Sequence, residues 1–156
     1  MNIEEKIEKV TKRDNDVHHI FKKLLNNQSV FLSHEEIIDL IYLKREYSDN
    51  VSVSGRNKSD IISPAKMLIA TNYGILIIEE GFKEISSDYY GYKIKDVYYN
   101  NISSIELDIA LLIGEFKINT INNQDALIKF KTAEYYAEFE KFIEMVREKL
   151  IERCMT

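Results

Sequence analysis

The chain has 156 residues, the length of one domain or of one domain with a helical extension. It is 45% hydrophobic, 30% charged and 11% aromatic, which is ordinary for a globular protein and enough for a core. Lys plus Arg number 21 against 26 Asp plus Glu, a net charge of -5, which argues against broad coating of nucleic acid and leaves room only for a local basic patch.

The one cysteine, Cys154, cannot form an internal disulfide and fits a reducing compartment. The opening residues lack the apolar stretch of a secretion signal. The longest apolar run, Ile109 to Ile113, falls far short of the roughly 20 residues that span a bilayer. The expected location is therefore cytoplasmic.

Residues 3–25 carry a helical stripe, Ile3, Ile7, Val10, Val17, Phe21 and Leu24, whose missing member is Asp14. One continuous helix with a local defect fits this pattern. So do two helices broken at Arg13-Asp14-Asn15-Asp16, and the second reading is favoured. Ser33-His34-Glu35-Glu36 has the spacing of a capping box, yet Ile37 to Glu46 is rich in Ile and Tyr and suits a strand. A short helical turn feeding a strand is expected there. Asp49 to Ser63, polar and holding Gly55, is the longest loop candidate.

From Lys66 the pattern turns to β. Lys66–Thr71 and Ile75–Glu80 flank Asn72-Tyr73-Gly74, a hairpin connection in which Asn and Gly are expected to supply positive φ. Gly91–Tyr98 is a further segment. Ile105, Leu107 and Ile109 then alternate with polar residues as in a half-buried strand, which Gly114 is expected to break. Phe116, Ile118 and Thr120 alternate next, then Ala126, Ile128 and Phe130 after the turn Asn122–Asp125. Beyond Thr132, a plausible N-cap, the period becomes helical, and Tyr135, Phe139, Phe142, Ile143, Val146 and Leu150 share one face. About seven strands followed by one amphipathic helix, without βαβ alternation, predict two antiparallel sheets with the helix closing an open corner.

The stretch Leu68-Ile69-Ala70-Thr71-Asn72 leading into Ile75–Ile78, then Tyr98–Leu107 and Phe116-Lys117-Ile118 with the closing helix, resembles the bacterial pleckstrin-homology-like domains. Leu32–Ile37 is similar to the Glu-containing segment before their first strand, so the resemblance covers roughly 32–153. Tyr73-Gly74 departs from the basic residue usual after Thr71-Asn72. The resemblance implies a mainly β (α+β) fold: a seven-stranded antiparallel sandwich or barrel capped by a C-terminal α-helix. Residues 1–28 would be an N-terminal helical extension and 29–156 the domain. It also implies a non-enzymatic binding or assembly module, with homo-oligomers known in the family.

The chemistry-bearing motifs are few. His18 and His19 diverge by about 100° on a helix, and with His34 they form no spacing suited to a metal. Glu79 and Glu80 would point to opposite faces of a strand. No nucleophile elbow or phosphate-binding glycine loop is present in the sequence. No catalytic, cofactor-binding or metal-binding residue is assigned. Lys44, Arg45, Arg56, Lys58 and Lys66 around the first long loop are the candidate contacts for phosphate or an anionic lipid surface, diluted by Glu46, Asp49 and Asp60. The tyrosines 89, 90, 92, 98 and 99 interleave with Lys93 and Lys95, a pattern seen in single-strand nucleic-acid binding. In an acidic chain, strand packing and protein interfaces suit them better. Ile3, Ile7, Val10, Tyr89, Tyr90 and Tyr92 are the candidate interface. The expectation is a homo-oligomer or a protein partner, with weak membrane-surface contact as the alternative.

Overall fold

The computed structural model describes residues 2–13, 17, 19–27, 31–47, 61–81, 91–121 and 123–154. Its fold is mainly β, with seven antiparallel strands in two sheets, helices at the N-terminus and a C-terminal helix. The four-stranded sheet has the order β1-β4-β5-β6, from strands β1 (Ile37–Leu43), β4 (Lys66–Thr71), β5 (Gly74–Glu80) and β6 (Tyr92–Tyr98). The three-stranded sheet has the order β7-β8-β9, from β7 (Ile102–Ala110), β8 (Ile113–Thr120) and β9 (Gln124–Lys131). Two short strands, β2 (Glu46–Tyr47) and β3 (Ile61–Ser63), make a separate antiparallel ribbon. This is the expected mainly β class, with the expected C-terminal helix.

Packing gathers the chain into two units. The first comprises residues 1–33, 42–68 and 77–95. Here Val17 is a bend rather than helix, while residues 14–16 of the favoured break lie outside the described residues. Helix α1 (Ile3–Glu8) continues as a π-helical turn (Lys9–Arg13), and α2 (His19–Asn27) begins anew. Asn2 caps α1, its Oδ1 accepting from the Glu5 amide at 2.8 Å, a signal that the sequence reading passed over. Val10, Val17, Ile20, Phe21, Leu24 and Leu25 are buried, and Phe21 meets Tyr42 edge to face at 5.5 Å.

The second unit comprises residues 34–41, 69–76 and 96–156. Helix α3 (Thr132–Cys154) lies against β8, β9 and the 3-10 turn Tyr99–Asn101. Its stripe is buried at Phe139, Phe142 and Val146, while Tyr135, Ile143 and Leu150 are half-buried. Phe130 stacks on Phe139 at 3.9 Å, and Phe116 stands across Phe139 and Phe142 at 5.8 and 6.1 Å. Four phenylalanines thus join helix to sheet. Each such side chain contributes roughly 1.5–3 kcal/mol of burial.

Several local expectations are corrected. Ser33-His34 forms a turn, with His34 at φ 68°, and no helix follows it to be capped. Residues 61–63, assigned above to the long loop, are strand β3. In the β4–β5 hairpin Asn72 does not take positive φ, and Gly74 lies outside the left-handed region too. The turn is held instead by the Thr71 hydroxyl, which accepts from the amides of Tyr73 and Gly74 at 3.1 and 3.2 Å. Gly74 is required for closeness: a Cβ there would stand 2.4 Å from the Val97 carbonyl oxygen. Gly114 does not break a strand; it sits within β8 opposite Ile109. A Cβ on it would meet the Phe130 ring at 2.3 Å. The actual break is the pair Leu111-Leu112. Thr132 is the first residue of α3 rather than its cap, and its hydroxyl donates to the Leu111 carbonyl at 2.7 Å.

Candidate functional site

The basic cluster is not one free surface. Arg56 and Lys58 lie outside the described residues. Lys44 is exposed and Lys66 is half-buried. Arg45 is committed elsewhere. Its Nε donates to Glu80 Oε1 and its Nη2 to Oε2, both at 2.7 Å, in a two-pronged pair. The Glu80 side chain is fully buried and that of Arg45 is 14% exposed. Glu80 Oε1 also accepts from the Ala65 amide at 2.8 Å, and the Glu80 amide donates to the Ala65 carbonyl. Its neighbour Glu79 is half-buried, so the two adjacent carboxylates do face apart.

The candidate interface is dispersed as well. Tyr89 and Tyr90 lie outside the described residues. Val10 is buried at 4% exposure and serves the core of its own unit, while Ile3 and Ile7 are half-buried. Tyr92 is 52% exposed on β6, the edge of the four-stranded sheet. Tyr98 on the same strand is also exposed, whereas Tyr99 is buried.

A polar cluster gathers at the β4–β5 turn. The Thr71 hydroxyl donates to Glu35 Oε2 at 2.7 Å, and the Tyr99 hydroxyl donates to the Thr71 carbonyl at 2.6 Å. Asn72 clasps the segment before β1, accepting from the Glu36 amide and donating to the His34 carbonyl, each at 2.9 Å. Arg153 near the end of α3 reaches the Asn72 carbonyl at 3.5 Å. Burial pushes the Tyr99 hydroxyl well above the usual tyrosine range; Arg153 opposes this, and Glu35 and Glu152 add to it. Asp96 is raised by partial desolvation and by the nearby Glu35 carboxylate. These groups bond one another and lock a turn, so the cluster reads as structural.

The outer face of the three-stranded sheet carries charge. Lys117 lies 2.6 Å from Asp108, 3.7 Å from Glu115 and 4.0 Å from Glu106, and Lys129 lies 3.9 Å from Glu115. The hydrogen bond to Asp108 raises the Lys117 pKa, as do all three carboxylates. Among the described residues no group of three or more His, Cys, Asp or Glu could hold a metal, and no helix is long and apolar enough to cross a membrane.

Among the described residues, a group of exposed apolar side chains stands at the β7–β8 turn. Ile109 is 44% exposed, Leu111 93%, Leu112 77% and Ile113 54%. The sequence signal for this group is the Ile109–Ile113 run itself, too short to span a bilayer and apolar at a turn.

A family model described as Bacterial PH domain matches residues 1–148. The match begins with the N-terminal helices and runs into α3. No curated protein and no solved structure matches the chain.

Proposed function

Because the chain belongs to the bacterial PH domain family, we propose that it is a non-catalytic binding module of the cytoplasm that works through protein contacts and self-associates. The observation that carries this reading is Tyr92, 52% exposed on the edge strand β6. An edge strand offers unpaired backbone groups, and tyrosine is among the residues enriched where proteins meet. Exposed Tyr98 extends the same strand's aromatic surface, and half-buried Ile3 and Ile7 leave part of the N-terminal stripe for a partner.

Light scattering and sedimentation across the micromolar range test the proposal. The expected result is a mass above that of the 18.3 kDa chain, falling on dilution. Tyr92→Lys, a charge placed on the edge, is expected to shift the protein to monomer without loss of fold. A strict monomer at every concentration overturns self-association.

The alternative, contact with an anionic surface through the first long loop, is weakened by the engagement of Arg45 with Glu80.

A further inference from the structure

We propose that the β7–β8 hairpin tip is a lipid-contact wedge, in which Leu111, Leu112 and Ile113 enter the interfacial layer of a bilayer and Lys131 meets its anionic headgroups.

The tip runs against two rules of hairpin construction at once. Ala110 pairs with Ile113, leaving Leu111 and Leu112 as a two-residue loop. Loops of this length that need positive φ favour glycine or asparagine. Leu111 instead holds φ 45°, a conformation disfavoured for a branched side chain. Both leucines also stand in water, at 93% and 77% exposure. Folding gains nothing from either choice, so a contact outside the fold is the reason for them.

The tip is rigidly presented. The Leu111 carbonyl accepts from the Thr132 hydroxyl at 2.7 Å and the Leu112 carbonyl from the Thr132 amide at 3.1 Å. The start of α3 thus fixes the loop backbone while its side chains point away.

Area and charge select the occupant. Four side chains on a convex tip cannot supply the roughly 800 Å² per partner of a stable protein interface. A bilayer needs no complementary surface. Ile113 pairs with Lys131, which is exposed, so a cation stands in the row directly behind the leucines. Two positions further along, on the same face, stand Asp108, Glu115 and Lys129, with Lys117 2.6 Å from Asp108 and 3.7 Å from Glu115. Along that face the order is an apolar tip, then an exposed lysine, then a row of mixed charge. That is the order of acyl boundary, headgroup and water.

The chain contains no tryptophan, so Leu112→Trp installs a single reporter. Vesicles of phosphatidylcholine with phosphatidylglycerol are expected to shift its emission to the blue, while Ile121→Trp, just beyond the opposite end of β8 and 82% exposed in the parent, stays unshifted. The unlabelled protein is expected to co-sediment with these vesicles. The double variant Leu111→Gly, Leu112→Asn places suited turn residues at the tip. It is expected to melt no lower than the parent, keep the parent's oligomeric mass and lose at least about tenfold in vesicle binding. Lys131→Glu is expected to weaken binding to anionic vesicles by fivefold or more, at about fivefold per basic charge. An unshifted Leu112→Trp spectrum overturns the proposal, as does undiminished sedimentation of the double variant. A blue shift that grows with protein concentration without vesicles also overturns it, and assigns the tip to a second copy.

Discussion

Arg45 and Glu80 lie 35 positions apart and meet in a two-pronged ion pair whose carboxylate is fully buried. Glu80 is the last residue of β5, and Arg45 lies two residues beyond the end of β1. The pair, with the Ala65 amide on Glu80, ties together the chain on both sides of the long loop between β1 and β4. Removing Arg45 leaves a buried carboxylate without its cation. Arg45→Ala is expected to cost about 3–5 kcal/mol in urea unfolding. The double change Arg45→Met, Glu80→Leu removes both charges and is expected to cost clearly less. Equal losses in the two variants would show that the pair is not coupled.

Gly74 and Gly114 make a second comparison, because both are required by closeness and differ in what stands close. An added Cβ at Gly74 would meet backbone, the Val97 carbonyl oxygen at 2.4 Å and Tyr98 Cα at 2.8 Å. At Gly114 it would meet a side chain, the Phe130 ring. A ring can tilt, at the expense of its stack on Phe139, whereas paired backbone cannot. Both alanine variants are expected to lower the melting temperature, Gly74→Ala by more, with losses on the order of 1–3 kcal/mol. Adding Phe130→Leu is expected to recover part of the loss at Gly114→Ala, and differential calorimetry reads the order.

Most of the architecture was legible because burial in this chain follows simple periods. The alternation of Phe116 and Ile118, and of Ile128 and Phe130, marks inward faces that the fold buries. Phe139, Phe142 and Val146 mark the helix face in the same way. The turns were less legible, for a physical reason. Asn and Gly announce turns through positive φ, but among the described non-glycine residues positive φ falls on His34 and Leu111, and Gly74 and Gly114 serve neighbours distant in sequence. Arg45 counted as a free cation because nothing local reveals a carboxylate 35 positions away. The exposed tip was hidden by its own composition, since an apolar run reads as core until the fold shows which way it points.

The Tyr99 hydroxyl supports the turn from below, donating to the Thr71 carbonyl at 2.6 Å. Tyr99→Phe removes the donor and is expected to cost about 1–3 kcal/mol, the range for a buried acceptor left without its partner. Its raised pKa also sets a sign. Above the ordinary value of 10.0 the unfolded chain loses the phenolic proton while the folded chain keeps it, so stability falls as pH rises. The difference between parent and Tyr99→Phe is therefore expected to shrink from pH 9 to pH 11 (about one unit either side of the free value). Denaturant midpoints at the two pH values measure it.

Asp96 gives the opposite end of the pH scale. Its carboxyl is raised above the ordinary 3.8, by partial desolvation first and by Glu35 second. An acid whose folded pKa is raised holds its proton longer in the folded state. Its penalty is thus absent below 3.8, where both states are protonated, and grows as pH climbs through the folded value. Asp96→Asn removes that penalty. At pH 7 the variant is expected to be more stable than the parent, by under about 1 kcal/mol because solvent screens the partly exposed group. Below 3.8 the two are expected to converge. The same logic makes Glu35→Gln lower the Asp96 pKa, which carboxyl chemical shifts in an NMR titration would follow directly. A variant at position 96 that gains nothing at neutral pH, or gains equally at every pH, would show that Glu35 and burial do not act on this carboxylate.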